Sequence, residues 1–380
     1  MFGVILAFAF TLMLGYVLWR AASVPLVRRH ISRKRLIGIG LVLWASFFLG
    51  RVVGPGDIGS LAMPLELWSM TWLATLFLMS AALLVADAAT GFGFFLNRFA
   101  PTLRGAALVT GAALSAVALA QGLRSPMVQS YDVYPAGLPA ALDGTVIVAL
   151  SDLHLGPVLG ETWLAARVEQ AQAERPDVVV LLGDIFEGHS APGAELLAAL
   201  RRLSAPMGIW GVLGNHESHA ANNDNAALFE QAGVHLLRNT WVELRPGLIL
   251  AGVDNLSASR DAGAAEASLA TALAGRPLGA TVLLSHAPLY TDLAAGKGVN
   301  LMLSGHTHGG QIWPFGYFVR QRFPLLEGRH EIGAMTLVVS RGTGTWGPRM
   351  RLWRPAEILR VTLRARAETA IPATDAANAS

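Results

Sequence analysis

Metal-ligating side chains recur directly after short apolar segments of this chain. Asp152 and His154 follow residues 146–150, and Asp184 follows 178–182. Asn215, His216 and Glu217 follow 209–213, His286 follows 282–284, and His306 and His308 follow 301–303. Carboxylates, imidazoles and an amide are ligands for Mn, Fe, Zn or Co. Cysteine is absent (Cys 0), which excludes thiolate cages and disulfide frameworks. In open α/β sheets, ligands bind at the carboxyl ends of the strands. Five such ends on one rim would collect more donors than one ion can use, a set suited to two ions sharing a bridging carboxylate. Two ions roughly 3.5–4 Å apart clamp the attacking and leaving oxygens of a phosphoryl group and lower the pKa of bound water. Gly183, Gly214 and Gly305 are expected to let the chain turn sharply off each strand toward the metals.

Singly, these pieces are weak. A Gly-Asp after a strand is ordinarily a turn. Paired histidines beside glycines are stronger, because they rarely serve packing. Of the chain's 10 histidines, His154, His216, His286, His306 and His308 fall in the motifs. His30, His189, His219, His235 and His330 read as surface or core residues, with His219 a candidate for substrate contact because it follows the Gly214–Glu217 motif closely.

The elements that must hold these ligands are short Val-, Leu- and Ile-rich runs alternating with helical patterns at 162–174, 194–203, 226–231 and 264–273. Further strand-like runs lie at 248–253, 335–339 and 357–363. Strands alternating with helices indicate an α/β domain, here expected over 144–366.

Before residue 144 the texture differs. Over all 380 residues the apolar share is 53% and the charged share 14%, against about 25% charged in soluble domains. Apolar runs at 2–19, 36–53, 65–86 and 105–123 each approach the roughly 20 residues that span a bilayer. Four transmembrane helices within residues 1–124 are therefore expected, in place of buried core helices. A cleaved signal peptide fits the first run poorly, since its basic cluster follows it. Arg20, Arg28, Arg29, Arg33, Lys34 and Arg35 occupy the first loop, none lies in 54–64, and Arg98 and Arg104 mark the third. After Arg124 no Lys or Arg occurs until Arg167. The positive-inside rule then puts the N-terminus and everything beyond the fourth helix outside the cytoplasm. Residues 125–143, with Pro126, Pro135, Gly137 and Pro139, read as a linker, and 367–380 as a disordered tail. A net charge of +3 with its basic residues in a few loops does not suit a nucleic-acid partner.

The ordered series Asp152-x-His154, Gly183-Asp184, Gly214-Asn215-His216-Glu217, His286 and Gly305-His306-x-His308 resembles the calcineurin-like metallophosphoesterase superfamily across 146–310. The SDLHLG, GHTHGGQ and SRGTGTW segments resemble a membrane-anchored subgroup that includes bacterial cell-envelope phosphodiesterases. UDP-2,3-diacylglucosamine hydrolases are more distant. The resemblance implies a pair of sheets sandwiched between helices, an αββα arrangement. It implies one metal held by Asp152, His154, Asp184 and His308, with Asp184 bridging to a second held by Asn215, His286 and His306. His216 would steady the phosphate and protonate the leaving group, and Glu217 would orient His216.

The expected function is hydrolysis of a phosphate ester or pyrophosphate. The membrane region favours a lipid or cell-envelope substrate. Trp313, Phe315, Tyr317, Phe318 and Phe323, with Arg320 and Arg322, suit either a membrane interface or a core loop. Two other classes remain: a non-catalytic metal-binding scaffold, against which the complete ligand set argues, and the regulatory domain of a transporter. Against the latter, Arg51, Glu66 and Asp87 all lie near span ends.

Overall fold

The structure, a computed structural model, describes residues 2–52, 62–156, 158–187, 193–218, 224–258 and 262–366. His189, His219 and the expected tail 367–380 lie outside the described residues.

Leu-, Ala- and Phe-rich sequence without interior proline gives long helices: α1 (Phe2–Ala21), α3 (Arg33–Val52), α4 (Ala62–Ala89) and α5 (Ala100–Gly122), with the short α2 (Pro25–His30) after α1. Pro101 stands at the start of α5, where its missing N–H costs nothing. Among the described residues three helices are long and apolar enough to cross a membrane: Gly3–Ala21, Met63–Ala89 and Ala100–Gly122. The expected span at 36–53 falls on α3, whose last side chains lie outside the described residues, and is not among the three. Phe10 stacks on Phe47 at 3.9 Å between α1 and α3. At one end of the bundle the fully buried Asp87 carboxylate meets Arg20 at 2.6 Å, Arg104 at 2.7 Å and the Tyr16 hydroxyl at 2.7 Å. The charges there are paired, which is how ionisable groups survive among apolar helices.

The remaining chain builds two six-stranded sheets. The first runs β1 (Met127–Val133), β12 (Glu357–Leu363), β2 (Val146–Leu150), β3 (Val178–Leu181), β4 (Ile209–Gly211), β5 (His235–Leu236). The second runs β10 (Gly328–Ile332), β11 (Met335–Val339), β9 (Leu301–Ser304), β8 (Ala280–Leu284), β7 (Leu248–Gly252), β6 (Thr240–Arg245). Strands β2 to β5 pair in parallel, as do β7, β8, β9 and β11.

Alternation along each strand divides the core. Ile147, Ala149, Val178 and Val180 point at the other sheet, toward Leu250, Val282, Leu284, Leu301 and Leu303. Val148, Leu150, Val179 and Leu181 point the other way, against Leu164 and Val168 of α6 (Glu161–Ala173) and Leu196 and Leu200 of α7 (Ala194–Leu200). On the far side, Ala265, Leu269 and Ala272 of a helix at Ala262–Leu273 cover Ala251, Leu283 and Met302.

Two expectations change. Residues 127–133, inside the expected linker, are edge strand β1, in parallel register with β12 from Met127↔Glu357 to Val133↔Leu363. Its sequence alternates and its burial is partial, so no apolar run announces it. Instead of hanging from a linker, the α/β part packs directly on the bundle. Ala74 and Leu78 of α4 and Ala118 of α5 share one buried cluster with Ile312, Met350 and Leu352. The Arg351 N–H donates to the Ala118 carbonyl at 2.9 Å and the Trp353 N–H to Gln121 Oε1 at 2.8 Å.

Candidate metal centre

The loops after β2, β3, β4, β8 and β9 converge at the carboxyl ends of their strands, as the sequence leads one to expect. Five ligand-type residues there adopt left-handed backbone: Asp152 (φ 53), His154 (47), Asp184 (51), His306 (72) and His308 (51). Non-glycine residues rarely hold this conformation, which costs of order 1–3 kcal/mol each and clusters at functional sites. The loops are tied across the sheet: the His154 N–H donates to the Asp184 carbonyl at 3.0 Å, and the His306 N–H to the Asp152 carboxylate at 3.0 and 3.1 Å.

Three overlapping groups of ligating atoms result: Asp152, His154 and His308; His154, Asp184 and His216; and Asp184, His286 and His306. Within the first, His154 Nε2 lies 3.1 Å from His308 Nε2, and His308 Nε2 lies 3.4 Å from Asp152 Oδ1. Within the third, His286 Nε2 lies 3.3 Å from Asp184 Oδ2 and 3.1 Å from His306 Nδ1. Asn215 Oδ1 approaches the same His286 nitrogen at 3.0 Å. The Leu182 carbonyl, 2.8 Å from His286 Nδ1, accepts a hydrogen bond there, so Nε2 is the nitrogen that faces the cluster. Asp184 belongs to two of the groups, its Oδ2 4.0 Å from His154 and its Oδ1 accepting the His216 N–H at 2.9 Å.

Electrostatics agree that this donor set fits cations. Asp152, Asp184, His154, His286 and His308 are all buried. Burial opposes a charge on His286, but Asp184 and then Asp152 overcome it and lift the imidazole to about 9. Burial, then the His286 charge, push His306 down to about 3. Burial also raises the Asp152 carboxyl. Buried carboxylates crowded against imidazoles driven to opposite protonation states are the condition that divalent ions relieve.

Some roles differ from expectation. The Glu217 carboxylate, 4% exposed, accepts the N–H groups of Asp184 (2.9 Å), Ile185 (2.6 Å), Phe186 (3.0 Å) and Gly214 (2.7 Å). It fixes the loop that presents Asp184. The carboxylate facing His216 Nδ1, at 3.5 Å, is Glu187, whose other oxygen lies 2.7 Å from His154 Nδ1. Sequence reasoning passed over Glu187, although its place three residues after Asp184 in the same strand-end loop was the available signal. Arg351 was also missed. Fully buried, it donates from Nη2 to the carbonyls of Arg341 at 2.9 Å and Gly344 at 2.6 Å, and from Nη1 to that of Arg354 at 3.0 Å. Arg349 and Arg354 stand close by in sequence, and nothing in that run marks Arg351 as the buried one. His216 itself remains partly open, its side chain 20% exposed.

The glycines divide by reason. Gly183 has φ 90, a true left-handed turn. Gly214 and Gly305 serve close approach instead: a Cβ on Gly305 would overlap Ser151 Oγ and Asp152 Oδ2, and one on Gly214 would overlap Asp184 Oδ1. Gly305→Ala is therefore expected to destabilise the protein by about 1–3 kcal/mol, an overpacking cost, and to lower its metal content. Urea midpoints and metal analysis check this, and an unchanged midpoint with full metal would count against it.

A sequence-family model described as calcineurin-like phosphoesterase matches residues 145–310. The bovine transmembrane protein with metallophosphoesterase domain is 34% identical over 274 residues, 68% of this chain and 62% of that one. An uncharacterized metallophosphoesterase of Campylobacter jejuni is 32% identical over 251 residues, 64% of each chain. The chain thus spans less than two thirds of the length of these two relatives. One from Aquifex aeolicus is 33% identical over 240 residues, 62% of this chain and 91% of that one.

Proposed function

The chain belongs to the calcineurin-like phosphoesterase family, and we propose that it is a membrane-anchored hydrolase of phosphate esters working with two divalent ions. One observation carries this reading: two ligand groups meet at a single carboxylate, Asp184. In the proposed arrangement Asp152, His154, Asp184 and His308 hold one ion, and Asp184, Asn215, His286 and His306 the other. When bound, the ions supply the Lewis acidity that activates water and steadies a phosphoryl group. The protein's own part is positional. Glu217 and the left-handed loops hold the ligands at fixed spacing. Leu182 sets the His286 tautomer. Partly open beside Asp184, His216 is placed to hold a proton for the leaving oxygen, with Glu187 against its Nδ1. We assign a diester in preference to a monoester, and a lipid or cell-envelope ester in preference to a soluble one, because the site is carried beside membrane-type helices. Hydrolysis of bis(4-nitrophenyl) phosphate and 4-nitrophenyl phosphate by the full chain, metal by metal, tests it; no turnover of either with Mn, Fe, Zn or Co sinks the reading.

The same reading takes α3 as a fourth span, residues 1–124 as the membrane region, and 127–366 as the catalytic domain, layered helix, sheet, sheet, helix. It also places that domain outside the cytoplasm. Arg20 and Arg104 cluster with Asp87 at one end of the bundle, while Ala118 and Gln121, near the other end of α5, meet the α/β part. The basic loops and the catalytic domain therefore occupy opposite ends, as the positive-inside rule needs. A reporter active only outside the cytoplasm, fused after Arg366, is expected to be active, and one active only inside to be silent. The reverse pattern refutes the orientation.

A further inference from the structure

Between the metal centre and the bundle lies one short helix, Gly316–Arg322, and the two ends of its segment touch different things. At the N-terminal end, the Phe315 ring meets Phe77 of α4 edge-on, with centroids 5.9 Å apart. At the C-terminal end, the Phe323 ring meets the ligand-type His306 edge-on at 4.6 Å. Seven helical residues span only about 10 Å, so about two turns of helix separate a membrane-type helix from the metal centre.

The contact is also deep. From Phe77 to Ala62 is 77 − 62 = 15 residues of α4, and from Phe77 to Ala89 is 89 − 77 = 12. At about 1.5 Å per residue these are roughly 22 Å and 18 Å, against a hydrocarbon core of about 30 Å. Phe315 therefore meets α4 well within its apolar length and short of either end. The attachment is close and broad: a Cβ added to Gly122 of α5 would press on the backbone of Met350 at 2.8 Å, and Ile312 and Leu352 are buried against both helices. Yet the large apolar side chains flanking this contact are left exposed over much of their surface. Trp313 is 38% exposed, Tyr317 63%, Phe318 59% and Trp353 54%, with Trp313 and Trp353 paired at 5.1 Å.

An exposed apolar patch of this kind marks an interaction surface, and its continuity with α4 at that depth names the occupant. We propose that residues 313–318 and Trp353 are immersed in the bilayer leaflet beside α4 and α5. The metal centre then opens toward that leaflet and takes amphiphilic phosphate esters sideways out of it. Arg320 and Arg322, on the same helix and exposed, reach toward lipid phosphates, as long basic side chains do at membrane interfaces. The immersion stands on geometry alone; the substrate route rests on the phosphoesterase reading above.

The absence of cysteine (Cys 0) provides a direct test. In the full chain reconstituted into phosphatidylcholine–phosphatidylglycerol vesicles, Phe318→Cys carries a nitroxide label, with Tyr317→Cys as the second site should the first variant misfold. Leu278→Cys, at a position 97% exposed on the α/β part, is the aqueous reference. The label at 318 is expected to show a several-fold higher ratio of collisions with oxygen to collisions with a water-soluble nickel chelate than the label at 278. Equal ratios at 318 and 278 overturn the immersion, whatever the protein hydrolyses. The substrate arm compares a long-chain phosphatidyl ester in vesicles with its short-chain, water-soluble counterpart. Faster turnover of the long-chain ester is expected, and equal or slower turnover overturns the lateral route. An immersed label in a protein that cleaves no phosphate ester keeps the immersion and overturns the function proposed above.

Discussion

Asp184→Asn is expected to lower turnover by roughly 10²–10³-fold, the effect of removing several kcal/mol of charge stabilisation at about 1.36 kcal/mol per factor of ten. Asp184 alone is shared between a group containing His154 and one containing His286 and His306. An amide keeps the shape and one acceptor oxygen but loses the negative charge that both groups share. Replacing Asp152 or His306 would weaken one group only. Asp184 is also over-determined by its surroundings: its N–H is held by Glu217, and its Oδ1 accepts the His216 N–H. The variant should therefore fold, and circular dichroism should match the parent while bound metal per chain falls. Dialysis against a chelator should produce the same loss in the unaltered protein, with Mn²⁺ among the ions that restore it. Full activity in metal-stripped protein, or wild-type metal content in Asp184→Asn, counts against a shared carboxylate.

How much of this could be read from sequence depended on burial. Strands β2, β3, β7, β8, β9 and β11 are buried along their whole length, so each is a continuous apolar run, the pattern of a strand covered on both faces. The four strands that sequence reasoning missed, β1, β5, β6 and β10, are the outer strands of the two sheets. An edge strand exposes half of its side chains, and segments such as Gly328–Ile332 carry Arg329, His330 and Glu331 where an inner strand has valine or leucine. Met127–Val133 was further disguised by Pro126 and the prolines after it, which argue for a linker until the register with β12 is seen.

The ligands were legible because they follow the inner strands at once. What surrounds them was not. Glu217 stands beside His216 in sequence, but the turn of helix at Asn215–Ser218 sends its carboxylate inward to four main-chain N–H groups. Arg351 works through carbonyl oxygens of a loop up to ten residues away, a partnership with no residue-type signature. The packing of 311–318 and 346–353 on the bundle joins segments nearly two hundred residues or more from α4 and α5, and no local pattern encodes such a contact.

His216→Ala tests the remaining choice at the centre, whether this imidazole binds metal or moves a proton. Geometry permits both: His216 belongs to a candidate group with His154 and Asp184, and its ring meets that of His154 edge-on at 4.8 Å. Two observations favour proton transfer. His216 is more open than His154, His286 or His308, with 20% of its side chain exposed against 3%, 0% and 9%. Its Nδ1 faces Glu187, a carboxylate whose charge favours a proton on that ring, whereas the Leu182 carbonyl accepts from His286 Nδ1 and leaves Nε2 toward the cluster. Burial, partly offset by Asp184 and Glu187, pushes the His216 imidazole below its usual range. On this basis His216→Ala is expected to keep its metal and lose about 10²–10⁴-fold in turnover, the usual contribution of a general acid. The loss should shrink for a nitrophenolate leaving group, which departs without a proton, and grow for an alkoxide. If instead the variant loses a metal ion and slows equally on every leaving group, His216 is a ligand and the leaving oxygen takes its proton elsewhere.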